Sequence, residues 1–162
     1  MRIAIIAALV GVAVAARPAL ASDNDALLGA WKVVSADVIK ADGTRTEDYG
    51  KAPLGIAIFT ADGHYAVEIY KSERLKFAAN DKFKGTPEEY KDVSLAMSCH
   101  FGTFEVNQQK ATITLKVESA SFPNLVGSTR VSSFTLTGDE LTWRVPPRPD
   151  GSIPVTTFRR VK

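Results

Sequence analysis

The chain has few of the side chains that carry metal or disulfide chemistry. It contains one cysteine, Cys99, and two histidines, His64 and His100. A single cysteine cannot form a disulfide within the chain, and we expect it to be buried, which is the commoner fate of a free thiol. Two histidines without a surrounding Cys/His cluster give no spacing typical of a metal site. The sequence therefore predicts no metal and no cofactor, and a stability that comes from packing.

Motifs of the common enzyme classes are missing as well. The sequence has no Gly-x-Ser-x-Gly turn, no His-Glu-x-x-His and no glycine-rich phosphate loop. The chemistry left to such a chain is general acid–base work by His100 with a carboxylate such as Glu105 or Glu118. Both glutamates are expected to face outward, which argues against that pair. His64 follows Gly63 in a predicted turn, where we expect it to be exposed.

The chain has little excess charge of either sign. Its 20 Lys and Arg residues against 18 Asp and Glu residues give a formal net charge of +2. Residues 1–21 contain Arg2 and Arg17 and no acidic residue, so their removal would leave a neutral chain. A neutral chain without basic clusters has no positively charged surface to attract nucleic acid or an anionic membrane.

The long apolar run of the sequence stands at its N-terminus. Arg2 precedes an apolar run over 3–16, and Ala19 and Ala21 are small residues at the two positions that signal peptidase reads. We predict that residues 1–21 are a signal peptide, because the run is too short for a typical spanning helix. An uncleaved N-terminal anchor is the alternative. Residues 22–162 then form one domain of a periplasmic or secreted protein.

Residues 22–162 alternate between short β-prone segments and turns, which is the spacing of an all-β fold. Asp62-Gly63, for example, lies between two β-branched runs and is typical of a hairpin, because these residues tolerate positive φ. The pattern predicts strands over 31–39, 56–59, 65–70, 101–106, 111–118, 131–136, 141–145 and 155–161.

One segment departs from the strand pattern. Thr86-Pro87-Glu88-Glu89 is a capping box with proline at the first helical position, and it predicts a helix from Pro87 to about Met97. Apolar residues on one face of this helix are expected to pack on the predicted strands. They are Tyr90, Val93, Ala96 and Met97. The helix is interpreted as a plain packing helix or, alternatively, as a lid over an opening.

Alternation within the predicted strands indicates which side chains point inward. The inward set is apolar and rich in aromatic rings: Tyr65, Val67, Phe104, Leu115, Trp143 and Phe158. Such an interior suits a flat or apolar small molecule, although a barrel can also be filled by its own side chains. His100 and Arg130 fall in phase with apolar neighbours and are candidates to orient a polar group of a ligand. Alternatively, His100 bonds to the backbone, and a shift of one residue turns Arg130 to solvent.

Several motifs, taken in order, resemble a known family. Leu28-Gly29-Ala30-Trp31 at the first strand, with an arginine near the last, is how lipocalin-type barrels close their floor. Arg160 is in phase with Phe158 and is expected to cover the Trp31 ring. Further matching motifs are Asp42-Gly43, Tyr49-Gly50, Pro53-Leu54-Gly55, Asp62-Gly63, His100 to Phe104, Phe122-Pro123-Asn124 with Gly127, and Gly138 to Leu141. The chain resembles the bacterial and fungal lipocalin-like domain family over nearly all of residues 22–162.

The resemblance implies an antiparallel, lipocalin-like β-barrel of about eight to ten strands with one short helix over one end. It implies little about function, because the broader relatives include carriers, cyclases and isomerases. Our hypothesis is an exported protein that binds a small hydrophobic ligand among Tyr65, Val67, His100, Phe104, Leu115, Arg130, Trp143 and Phe158. The alternatives are a barrel enzyme of cyclase or isomerase type and a filled barrel that acts through its surface.

Overall fold

The computed structural model describes residues 22–162, so the predicted signal peptide lies outside the described residues. Within them, nine strands and one α-helix form the fold. The strands are β1 (Gly29–Ile39), β2 (Arg45–Thr46), β3 (Leu54–Phe59), β4 (His64–Tyr70), β5 (Met97–Asn107), β6 (Thr112–Ala120), β7 (Thr129–Thr137), β8 (Glu140–Arg144) and β9 (Ile153–Arg160). The helix is α1 (Pro87–Leu95).

The strands form a closed antiparallel barrel, as predicted. β3 to β9 pair in chain order, and β9 pairs with β1, so eight strands complete the circle. β1 pairs with β3 over Gly29–Lys32 and, further along, with the short β2 at Val38 and Ile39. All eight predicted strands are present, and β2 is the additional one. The prediction of an all-β antiparallel barrel with one short helix is confirmed.

One β-bulge bends the barrel wall at Gly102. Gly102 lies opposite Val117 while the preceding residue, Phe101, lies opposite Ser119, so Glu118 is the extra residue. A Cβ atom at Gly102 would collide with the carbonyl oxygen of Lys116. Glycine is therefore the residue that lets β6 approach this closely.

The inward-facing apolar side chains form one core within the barrel. Four rings anchor it, with Phe59 and Phe104 at 4.9 Å between centroids and Trp143 and Phe158 also at 4.9 Å. Both pairs are edge-to-face, the arrangement that adds about 0.5–1.5 kcal/mol to the burial of each pair. Further buried members of the core include Val67, Ile69, Ile113, Leu115 and Leu141.

The floor of the barrel is built around Trp31, which is 0% exposed. Its indole Nε1 donates to the carbonyl oxygen of Leu27 at 2.8 Å. The Arg160 guanidinium lies over the indole ring, 4.0 Å from its centroid, and donates to the carbonyl oxygens of Leu28 at 2.7 Å and Ala26 at 2.8 Å. The indole N–H and the guanidinium thus both bond to backbone carbonyl oxygens of residues 26–28, which holds this segment across the floor.

The helix begins as predicted and ends earlier. Thr86 and Glu89 form the capping box, with the backbone N–H of each bonded to the side chain of the other. Helix α1 ends at Leu95, and Met97 already belongs to β5. The expected apolar face is found only in part: Ala96, directly after the helix, is fully buried, whereas no residue within α1 is buried. Tyr90 contacts the loop before the helix instead, since its ring packs on Phe77 at 5.5 Å.

The expectation that Cys99 is buried is also wrong. Its thiol is free and only partly buried. Cys99 precedes the inward-facing His100 on β5, so the alternation of a strand places Cys99 on the outer face of the barrel. His64, at the start of β4, is exposed as expected, with Nδ1 3.4 Å from a carboxylate oxygen of Asp62.

Candidate functional site

The end of the barrel opposite Trp31 contains a cavity of about 630 Å³. Strand ends and three loops surround it, and helix α1 contributes its last residues, Ser94 and Leu95. The apolar part of its lining consists of Ala36, Ile69, Leu95, Met97, Phe122, Leu125, Trp143, Val145, Pro146, Pro149 and Pro154. Trp143 marks the boundary, because its ring packs on Phe158 below and lines the cavity above.

Polar side chains share this cavity with the apolar ones. They are Asp37, Asp48, Tyr49, Ser94, Ser98, His100, Ser121, Arg130, Arg148 and Thr156. Several come from strands with inward phase, such as Ser98 and His100 on β5 and Thr156 on β9. The cavity therefore offers an apolar wall together with hydrogen-bonding and charged groups, unlike the core beneath it.

His100 is oriented by a hydrogen bond to Tyr65. The two atoms, His100 Nδ1 and the Tyr65 hydroxyl oxygen, are 3.0 Å apart. Burial, with a smaller contribution from the charge of Arg130, lowers the pKa of His100 to about 4. Burial also raises the pKa of Tyr65 to about 12, so the hydroxyl keeps its proton at neutral pH.

The direction of this hydrogen bond depends on the tautomer of the neutral imidazole. In the tautomer whose Nδ1 is unprotonated, the Tyr65 hydroxyl donates to Nδ1. The remaining ring proton is then on Nε2. Among the described residues no side-chain nitrogen is both buried and without a partner, so Nε2–H of His100 is accessible from the cavity.

Arg130 brings a positive charge to the same cavity. It stands opposite Leu115 in the pairing of β7 with β6, which is the inward phase that the sequence indicated. Burial lowers the pKa of Arg130, and the charged or ionisable groups that act on it are Tyr65 and Arg148. Within residues 22–162 no carboxylate lies within 4.0 Å of its guanidinium.

The two carboxylates that line the cavity already have arginine partners. Asp37 accepts two hydrogen bonds from Arg45. Asp48 lies 3.4 Å from Arg148 at the opening. Each of these pairs is neutral, so Arg130 leaves the cavity with one positive charge in excess.

The predicted ligand-binding residues fall into two groups. His100, Arg130 and Trp143 line the cavity, and Tyr65 contacts His100 from below. Val67, Phe104, Leu115 and Phe158 are buried in the core and do not line the cavity. Alternation identified all of them as inward-facing, and it carries no information about their height along the barrel axis.

Several lining residues were not predicted because they lie in loops. Tyr49 belongs to the segment between β2 and β3, Leu125 to the β6–β7 connection and Arg148 to the β8–β9 connection. Loops show no periodicity that would place a side chain inward. For Tyr49, the Tyr49-Gly50 motif was a signal in the sequence, but it contributed only to the family resemblance.

The pairing of His100 with a carboxylate is not found in the described part of the chain. Glu105 and Glu118 are both exposed, as expected, and the hydrogen-bond partner of His100 is Tyr65. Among residues 22–162 no three His, Cys, Asp or Glu side chains come close enough together to hold a metal ion. Over the same residues, no helix is both long and apolar enough to cross a membrane.

Comparison with known proteins agrees with the barrel architecture. The model of a family described as "Lipocalin-like domain" matches residues 28–161. The chain belongs to the lipocalin-like domain family. A crystal structure of a mutant of the fluorescent protein UnaG is similar to this lipocalin-like chain with a TM-score of 0.36 and 13% identity, over 83% of this chain and 95% of that chain. A search of curated proteins finds no significant match.

Proposed function

We propose that this lipocalin-like protein is exported by its N-terminal signal peptide and binds a small hydrophobic ligand in the cavity of the barrel. The observation that carries the proposal is the cavity of about 630 Å³ above Trp143. Ligand pockets of proteins are typically about 300–1,000 Å³ and mostly apolar with a few placed polar groups. The cavity volume lies in this range, and the lining combines eleven apolar residues with ten polar or charged ones.

The expected affinity follows from the apolar area that such a ligand would bury. Burial of roughly 300 Å² at about 25 cal/mol per Å² contributes on the order of 7 kcal/mol, close to micromolar binding. Val67, Phe104, Leu115 and Phe158 belong to the core beneath this site, and the Phe158 ring packs on Trp143.

The cyclase or isomerase alternative would depend on His100 as a general base. A base works best when its pKa lies near the working pH, and the pKa of His100 is lowered to about 4 by burial. Glu105 and Glu118 are exposed and do not assist it. These observations favour binding over catalysis as the function of the cavity.

Filling the cavity tests the proposal. Ser98 points into it from β5, whereas Glu105 on the same strand is exposed on the outer face. We expect Ser98→Trp to weaken the uptake of the neutral fluorescent probe N-phenyl-1-naphthylamine at least about tenfold, while Glu105→Trp leaves it within about twofold. Equal effects of the two substitutions, or no uptake by the unmodified protein, would contradict the proposal.

Export is tested separately. Cleavage after Ala21 leaves a mature chain that begins at Ser22. Intact-mass measurement of the protein recovered from outside the cytoplasm of a bacterial host should give the mass of residues 22–162. Retention of Met1 in that material would contradict this part of the proposal.

A further inference from the structure

The cavity holds a cation whose counter-charge is not supplied by the described residues. Arg45 and Arg148 are paired with Asp37 and Asp48, whereas no carboxylate of residues 22–162 lies within 4.0 Å of Arg130. Arg130 is partly withdrawn from solvent, and its other charged neighbour, Arg148, is of the same sign. Burial of a charge is unfavourable unless an opposite charge or hydrogen-bond acceptors accompany it.

The neighbouring polar group is His100, which lines the same cavity. In the tautomer that accepts from Tyr65 at Nδ1, its remaining ring proton is on Nε2 and is a hydrogen-bond donor. A guanidinium and an imidazole N–H that line one cavity offer hydrogen-bond donors to the same ligand group. Guanidinium groups bind planar anions such as carboxylate through two parallel hydrogen bonds.

We propose that the ligand is an amphipathic monoanion, with an apolar body and one carboxylate or sulfonate group that binds between Arg130 and His100. The anion would neutralise the single excess charge, and the apolar body would lie against Trp143, Ile69 and Leu125. The inference deepens the proposed function and rests on it, since it assigns a ligand class to the same cavity.

A neutral ligand of the same shape fits the arrangement less well. It would withdraw the Arg130 guanidinium further from water without giving it an anionic partner, which weakens binding. A dianion would carry one negative charge more than Arg130 can neutralise. The other two arginines are already neutralised by Asp37 and Asp48. The charge balance thus selects one negative group.

Two matched probes test the ligand class. 8-Anilinonaphthalene-1-sulfonate is the anionic counterpart of the neutral N-phenyl-1-naphthylamine, with the same ring system and one added sulfonate. We expect the unmodified protein to bind the anionic probe at least about tenfold more tightly than the neutral one, because a charge-assisted hydrogen bond is worth that much.

The variants separate Arg130 from general surface charge. Arg130→Gln should weaken binding of the anionic probe about tenfold or more and should strengthen binding of the neutral probe, because a neutral ligand then no longer withdraws an unpaired charge from water. Arg130→Lys should restore part of the lost affinity, since lysine keeps the positive charge but lacks the two parallel N–H donors of the guanidinium. Arg144→Gln removes the same charge from the exposed outer face of β8 and should change neither affinity.

The outcomes distinguish this inference from the proposed function. If both probes bind with equal affinity and Arg130→Gln affects neither, the ligand class is wrong while the binding cavity stands. If Arg144→Gln lowers binding of the anionic probe as much as Arg130→Gln does, the sulfonate binds to surface charge and the inference fails. If neither probe binds to the unmodified protein, the proposed function itself fails.

Discussion

The two ends of the barrel each combine a tryptophan with an arginine, and they use the pair differently. At the floor, Arg160 lies on the Trp31 ring and donates to two backbone carbonyl oxygens. At the cavity, Arg130 and Trp143 line the same space, and no carboxylate of the described residues accompanies Arg130. A cation whose hydrogen bonds are satisfied holds the fold together, whereas a cation without a counter-charge is available to a ligand.

The same contrast holds for the remaining side chains. Below Trp143 the interior is filled by edge-to-face rings and branched aliphatic groups, and above it about 630 Å³ is open. The alternation of apolar residues is compatible with a filled barrel and with an open one. The structure has both, one at each end.

The largest effect is expected at the floor. Trp31→Ala removes a fully buried indole, its hydrogen bond to Leu27 and the surface on which Arg160 lies. We expect a loss of about 3–5 kcal/mol in the free energy of unfolding, measured by urea denaturation. Phe122→Ala at the exposed rim of the cavity is the control and should cost less than about 1 kcal/mol. A loss below that value for Trp31→Ala would show that the floor does not stabilise the barrel.

The next effect is a pH dependence that originates at the cavity end. Burial lowers the pKa of His100 to about 4 from the usual histidine value of about 6.5. Between pH 6.5 and pH 4 the unfolded chain therefore binds a proton at His100 that the folded chain does not bind. The contribution of His100 to the free energy of unfolding is complete above pH 6.5 and is lost as the pH falls toward 4. The loss should be about 2–3 kcal/mol.

The variant His100→Gln isolates this contribution. Other groups titrate in both proteins, so the difference between the two pH profiles of the free energy of unfolding reports on His100 alone. The His100→Gln profile should be flatter between pH 6.5 and 4. Parallel profiles over that interval would mean that the imidazole is not held in its neutral form.

A smaller effect separates the two arginines. Arg160→Met removes two hydrogen bonds and a cation–π contact and should cost about 2–3 kcal/mol. Arg130→Met removes a partly buried charge without a carboxylate partner and should cost less than about 0.5 kcal/mol, or stabilise the ligand-free protein. Urea midpoints of the two variants give the comparison. Equal losses would erase the distinction between a structural and a ligand-binding arginine.

Much of the fold could be predicted because its signals are local. Alternation and Asp-Gly turns identified eight of the nine strands, and the capping box at Thr86 gave the start of the helix. Strand β2 was missed because Arg45–Thr46 is too short to show a period, and it exists through its pairing with β1. The prediction for Cys99 was wrong because it followed the general preference of free cysteines for the interior. Cys99 directly precedes the inward-facing His100, and neighbouring residues of a strand face opposite sides.

The candidate site could be predicted only in part. Phase gave the inward direction of His100, Arg130 and Trp143, since a strand alternates with period two. It could not tell these residues from Leu115 or Phe158, because the depth of a side chain depends on the tilt and stagger of the whole barrel. The loop residues that complete the lining take their positions from tertiary packing.

The two tryptophans provide the most direct test of the central claim, that one end of the barrel is packed and the other binds the ligand. Trp31 and Trp143 are the only tryptophans of the chain, so their indole N–H signals are two resolved probes in a ¹H–¹⁵N NMR spectrum. Titration with N-phenyl-1-naphthylamine should shift the Trp143 signal and leave the Trp31 signal in place. A shift of Trp31 alone, or of neither signal while the probe binds, would contradict the account.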